Sequence, residues 1–177
     1  YLGGEVGSII KEESQVDIRF CLAFPDVYEV GMSHLGMQIL YSLINSDPKA
    51  WAERAYVPYH DMEAILRAKK IPLCSLESKR PLKNFDLLGF SLQYELSATG
   101  VLTILDLAGI PFRSKDRGAE FPLVVGGGPV SYHPEPFADF FDLFLIGDGE
   151  EAVPTLITEL RKAKTENLSK DDTLQRL

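Results

Sequence analysis

Val16-Asp17-Ile18-Arg19-Phe20-Cys21-Leu22-Ala23-Phe24 is the stretch on which the fold turns. From Ile18 onward, apolar side chains fall on both parities of the run. Ile18, Phe20, Leu22 and Phe24 share one face, and Cys21 and Ala23 lie on the other. A strand with one wet face alternates polar and apolar residues, whereas a strand covered on both faces does not. The run therefore predicts a central strand of a parallel sheet, ending at Pro25-Asp26. Beyond it, Met32 to Asn45 places Leu35, Ile39, Leu40, Leu43 and Ile44 at helical spacing. Ser33 is the expected N-cap of that helix, and Asp47-Pro48 closes it.

The same alternation continues outward. Arg54 to Val57 predicts a short strand, Asp61 to Lys70 a helix with basic residues in its last turn, and Leu73 to Leu76 a brief extended piece. Phe85 to Ser91 predicts a buried strand. Ser97 is the expected cap of a helix over Ala98 to Ala108, with Gly109 at its C′ position. Phe121 to Val125 and Phe141 to Ile146 predict two more strands, and Glu150 to Lys164 an amphipathic helix carrying Leu156, Ile157 and Leu160. Strands alternating with helices imply an α/β fold with helices on both faces of the sheet. The expectation is an open, doubly wound, mainly parallel five-stranded sheet of the flavodoxin-like kind, in order 2-1-3-4-5. Residues 1–15 are expected to be an N-terminal extension, 16–164 the domain, and 165–177 a polar, frayed linker.

At 177 residues the chain suits one full hydrophobic core. A formal charge of −8 argues against nucleic acid, because phosphate binding needs a basic face. No apolar run approaches the roughly 20 residues of a membrane-spanning helix. Tyr1-Leu2-Gly3-Gly4-Glu5 has neither the basic start nor the apolar stretch of a secretory signal, and its abruptness suggests that the native start lies upstream. Cys21 and Cys74 are the two cysteines. They have no metal-binding spacing and read as small buried hydrophobes of a protein in reducing cytosol.

Chemistry in such sheets collects outside the carboxyl ends of the strands. Those positions hold Asp26 to Gly31, Ser91 to Tyr94, Gly126-Gly127-Gly128-Pro129, and Gly147-Asp148-Gly149-Glu150. Glycines there let a ligand approach the backbone, although tight turns alone also account for them. The triple glycine lacks the G-x-G-x-x-G spacing of a dinucleotide site, and no P-loop lysine is present. Asp26 reads as a turn residue before a phosphoacceptor. His34, His60 and His133 have no second ligand at helical metal spacing and read as surface or supporting residues. No nucleophile–base–orienter set is legible, so no catalytic residue and no metal site is assigned.

The order Asp26-x-Tyr28-x-x-Gly31, Gly89-x-Ser91, Gly126-Gly127-Gly128-Pro129 and Gly147-Asp148-Gly149-Glu150-Glu151-Ala152 resembles the cobalamin-binding domain that precedes many radical-SAM catalytic domains. Leu123 to Pro154 is the most specific part. Nearly the whole chain is similar to a bacterial subgroup of radical-SAM proteins, through Pro58-Tyr59-His60-Asp61-Met62-Glu63, Ser75-Leu76-Glu77-Ser78 and Gly89 to Leu96. The resemblance implies a cobalamin-binding-like module, with Asp26, Tyr28, Gly31, Ser91, Gly126, Gly127, Gly128, Pro129, Gly147, Gly149 and Glu150 along the cofactor. It also implies that the [4Fe–4S] cluster and S-adenosylmethionine belong to a downstream radical-SAM domain of the same chain, the expected partner. This stretch by itself is then non-catalytic and binds no iron. Where cobalamin domains of the methionine-synthase kind have Asp-x-His-x-x-Gly, this chain has Tyr28, and a phenol is a poor cobalt ligand beside imidazole. Two alternatives stand beside this reading. One is a scaffold that has lost cobalamin and only covers the catalytic barrel; the other is a flavin- or nucleotide-binding flavodoxin-like module. Substrate and oligomeric state are not legible.

Overall fold

The computed structural model describes residues 3–177. Five strands, β1 (Ile18–Val27), β2 (Ala50–Val57), β3 (Leu87–Ser91), β4 (Leu123–Gly127) and β5 (Leu143–Phe144), form one sheet in the order β2-β1-β3-β4-β5. Every pairing is parallel, in register Phe20↔Leu87, Leu87↔Leu123 and Val125↔Leu143. This is the expected order, with the Ile18 strand in the interior.

Each face of β1 has its own core. Ile18, Phe20, Leu22 and Phe24 pack with α2 (Leu35–Ser46) and α5 (Gly149–Thr165). Cys21 and Ala23 pack with α3 (His60–Lys69) and α4 (Ala98–Ala108) on the other face. The small side chains on that second face let α4 come close. Gly109 ends α4 with a left-handed φ of 67°, as its sequence position implies.

Several boundaries differ from the sequence reading. β1 continues through Pro25 and Asp26 to Val27, with an irregularity in its register between Phe24 and Val27. That irregularity is where a residue without an N–H can sit inside a sheet. The expected helix from Met32 breaks in two: α1 (Tyr28–Ser33) ends at His34, which has extended backbone, and α2 starts after it. His34, not Ser33, is the cap, its Nδ1 accepting from the Met37 N–H at 3.2 Å. The buried stripe of α2 is Met37, Tyr41 and Ile44, while Leu35 and Ile39 face outward. Ser97 makes no N-cap bond; its hydroxyl donates to the Tyr94 carbonyl at 2.6 Å, inside a helical turn that precedes α4.

β2 begins four residues earlier than the expected Arg54, at Ala50, with Glu53 and Arg54 buried inside it. Glu53 accepts from the Ser75 hydroxyl at 2.6 Å and the Ser78 N–H at 2.9 Å. Arg54 pairs with Glu77 at 2.7 Å and lies over the Tyr41 ring at 4.3 Å. The Ser75-Leu76-Glu77-Ser78 segment thus covers the outer edge of β2 with hydrogen bonds in place of another strand. Leu73 to Leu76 contributes one antiparallel bridge, Cys74 with Pro81.

Residues after 164 are not frayed. They form α6 (Lys170–Arg176), capped by the Ser169 hydroxyl, with Thr173 buried and Leu174 and Leu177 packed on the core. The amino-terminal segment is tied down as well: Lys11 donates to the carbonyls of Asn45 and Asp47 at the end of α2, and Trp51 Nε1 to the Ile9 carbonyl. No helix among the described residues is long and apolar enough to cross a membrane.

Candidate functional site

β1 and β3 are neighbours whose connections leave on opposite sides of the sheet, and a ligand of a doubly wound sheet sits at that switch point. A cleft of about 200 Å³ lies there. Phe20, Leu22, Gly89 and Val125 form its floor, with walls from the first turns of α2 and α5. Gly89 is needed because Phe20 lies across it: an added Cβ would stand 2.5 Å from the ring. The lining is mainly apolar, and Ser91, Gln93 and His34 are among its polar groups. The Ser91 oxygen accepts from Gln93 Nε2 at 2.9 Å, so its own hydrogen remains available.

Of the residues expected along the cofactor, Ser91, Gly127, Gly128, Gly147, Gly149 and Glu150 line this one cleft. Gly127 carries the most information. It ends β4, its φ is not in the left-handed range, and an added Cβ would meet nothing within 4 Å. The space beyond its backbone therefore belongs to the cleft. Gly128, at φ 96°, turns the chain against the Leu92 carbonyl, and Gly147, at φ 110°, turns it into α5. Gly149 lets α5 approach α2, its would-be Cβ lying 3.0 Å from Leu40.

Asp26, Tyr28, Gly31, Gly126 and Pro129 stand outside the cleft lining. Asp26 accepts from the Tyr94 hydroxyl at 3.0 Å, joining the end of β1 to the turn after β3. Gly31 and Gly126 are small for packing reasons, since a Cβ would meet the Tyr56 ring at 2.3 Å and the Phe144 ring at 2.8 Å. Pro129 opens the helical turn after Gly128. Tyr28 points away, edge-on to Tyr56 and hydrogen-bonded to Glu5 at 3.3 Å, beside a second cavity along β2. Burial and the neighbouring Glu5 carboxylate push its phenol above the ordinary range. Its side chain is therefore no substitute for the histidine of the cobalamin motif.

His34, which the sequence reads as a surface or supporting residue, lines the cleft. Its signal was positional: it lies three residues past Gly31, where the chain must stop one helix and start another. Burial raises both thiols, Cys21 strongly in the core and Cys74 at the second cavity, so neither is poised as a thiolate.

Around the rim, in the segments between the carboxyl ends of the strands and the helices that follow, Leu35, Tyr94, Leu96, Tyr132 and Ile146 are large apolar side chains left exposed.

Residues 36–177 match the family described as radical SAM proteins, N-terminal. The chain belongs to this family. The match starts in the first turn of α2 and runs through β2 to α6, so it takes in most of the cleft walls. Among solved structures, the fold is similar to a radical S-adenosylmethionine methyltransferase, TsrM, from Kitasatospora setae, determined with tryptophan substrate and a SAM analog. The TM-score is 0.50 at 16% identity, over 86% of this chain and 26% of that one. At that identity the likeness shows the architecture, and this radical SAM N-terminal domain spans about a quarter of that protein. A comparison with curated proteins gave no match.

Proposed function

We propose that this domain is the cobalamin-binding module of a longer radical-SAM protein, holding the cofactor's nucleotide tail in the cleft and its corrin ring over the rim. The observation that carries the reading is Gly127, a strand end whose missing side chain opens directly onto an apolar cleft at the switch point. About 200 Å³ is too small for a whole cofactor but suits one flat, bicyclic end of it. The remainder would then lie across the exposed apolar residues of the rim. When bound, cobalamin supplies a cobalt centre for alkyl-transfer or radical chemistry. The residues of this chain supply shape, an apolar seat and a few hydrogen bonds. The downstream domain would bring the iron–sulfur cluster and S-adenosylmethionine and cover the rim from above, which gives Leu35, Leu96, Tyr132 and Ile146 a reason to be apolar.

The test is a titration of the chain with hydroxocobalamin, followed by its visible spectrum and by equilibrium dialysis. Gly127→Leu places a side chain in open space, so the far-ultraviolet circular dichroism and melting temperature should stay close to the parent. Excluding a ring whose burial is worth about 3 kcal/mol should weaken binding about 100-fold. Undiminished binding by a folded Gly127→Leu would move the ligand out of the cleft. A folded parent that takes up no cobalamin at all would favour a scaffold that keeps the fold without the cofactor.

A further inference from the structure

We infer that His34 recognises the ligand of the cleft as a hydrogen-bond donor through Nε2, and does not ligate a metal. The inference rests on the cobalamin reading above and adds the role of one side chain to it. His34 caps α2, and the Met37 N–H points at its Nδ1 at 3.2 Å. A ring nitrogen that accepts has no hydrogen, so the neutral imidazole carries its proton on Nε2. The ring is held in place on both sides. It packs on Phe24 at a centroid distance of 5.1 Å, and Gly36 is kept bare beside it, since an added Cβ would lie 2.9 Å from Cε1. No protein partner of Nε2 is found among the described residues, and the residue lines the cleft.

Ligation of cobalt through Nε2 would require the other tautomer. Its proton would then sit on Nδ1, hydrogen against hydrogen with the Met37 N–H, and the helix would lose its cap. The fold thus commits His34 to donation. The matching acceptor is an oxygen or ring nitrogen of the bound group, within reach of His34 and of the Ser91 hydroxyl, another available hydrogen in the cleft lining. Glu150 is the sole ionic side chain in the lining, so the recognition is by hydrogen bonds and shape more than by charge.

Two variants separate the cap from the recognition. In His34→Asn the amide oxygen can still accept from the Met37 N–H, but the side chain is too short to reach the cleft. In His34→Ala both roles are gone. Each chain is titrated with hydroxocobalamin, its melting temperature is recorded, and the reduced cobalt(II) form is examined by electron paramagnetic resonance. Both variants should bind about tenfold more weakly. Only His34→Ala should melt lower, by about 2–4 °C. The cobalt spectrum should be the same in parent and variants, with no splitting from a protein nitrogen. A nitrogen splitting that disappears in His34→Asn would overturn the inference in favour of ligation. Parent-like affinity in His34→Asn would overturn it in favour of a cap alone. A folded parent without cobalamin affinity would instead overturn the cofactor reading, and the role of His34 with it.

Discussion

Arg117→Ala should lower the unfolding free energy by about 3–5 kcal/mol, the range for breaking one partner out of a buried ion pair. Arg117 and Asp142 have side chains that are both 0% exposed, with guanidinium and carboxylate 3.0 Å apart. The remaining guanidinium hydrogens go to three backbone carbonyls: Pro111 at 3.0 Å, Phe112 at 2.9 Å and Phe140 at 3.0 Å. Asp142 in turn accepts from the Val124 N–H at 2.7 Å, from Lys170 at 2.8 Å and from the Ser114 hydroxyl. One pair therefore ties the loop before β4, the start of β4, the approach to β5 and the first residue of α6. β5 is two residues long and could not hold that edge alone. Alanine would take the hydrogen-bond donor away from the Pro111, Phe112 and Phe140 carbonyls and leave the buried Asp142 carboxylate without its guanidinium. Arg117→Lys keeps the charge but not the fork, and should fall between the two.

The pair also predicts how stability responds to acid. Burial pushes the Asp142 carboxyl up, but hydrogen bonds from Lys170, Ser114 and the Val124 N–H, with the Arg117 charge, outweigh it and hold the group below its ordinary value. A depressed folded value means that the stabilisation is complete above the unfolded carboxylate value of about 3.9 and is lost as pH falls below it. Urea midpoints of parent and Arg117→Ala should therefore lie far apart at neutral pH and converge below about pH 4. A difference under about 1 kcal/mol at pH 7 would mean that the clamp is structurally idle.

Nothing in the sequence announces that clamp. Arg117 and Asp142 are distant in the chain; Arg117 sits among residues that read as loop, and Asp142 in a run that reads as an ordinary strand. What was legible had a local period: the doubly apolar run of β1, the glycine after α4, the turns that end β3 and β4. What was not legible depended on a tertiary partner. Glu53 and Arg54 look wrong for a buried strand until Ser75, Glu77 and Ser78 are beside them. The tail after 164 reads as polar until Lys170 reaches Asp142 and Leu174 reaches the core. The cleft shows the same division. Strand-end rules found its glycines and Ser91, because position after a parallel strand is a sequence property. Those rules also swept in Gly31 and Gly126, whose smallness serves the Tyr56 and Phe144 rings. They passed over His34, whose part depends on the chain breaking one helix and capping the next.

Gly100→Ala should destabilise the chain, against the trend for helices. In an exposed helix interior the change gains about 1 kcal/mol, because glycine loses more backbone entropy on folding. Gly100 is in the first turn of α4 and buried, and a Cβ there would stand 2.1 Å from the Pro25 carbonyl oxygen and 2.7 Å from its carbon. Neither neighbour is the loose end of a side chain. Pro25 lies in the irregular exit of β1, between the last regular pair, Phe24↔Tyr56, and Val27↔Val57. Helix α4 therefore rests backbone to backbone on the point where β1 turns toward α1 and His34. Relieving the contact must move α4 outward or push the exit of β1 toward the cleft face. Overpacking of this kind costs about 1–3 kcal/mol, enough to reverse the sign of the helix preference. The melting temperature of Gly100→Ala should fall by several degrees, while Thr99→Ala, one residue away and exposed, should stay near the parent. If the exit of β1 takes up part of the strain, cobalamin affinity should drop as well, because His34 is carried on the segment that begins there. A Gly100→Ala chain that melts above the parent would show that α4 stands off β1, and that the position of His34 is set by α2 alone.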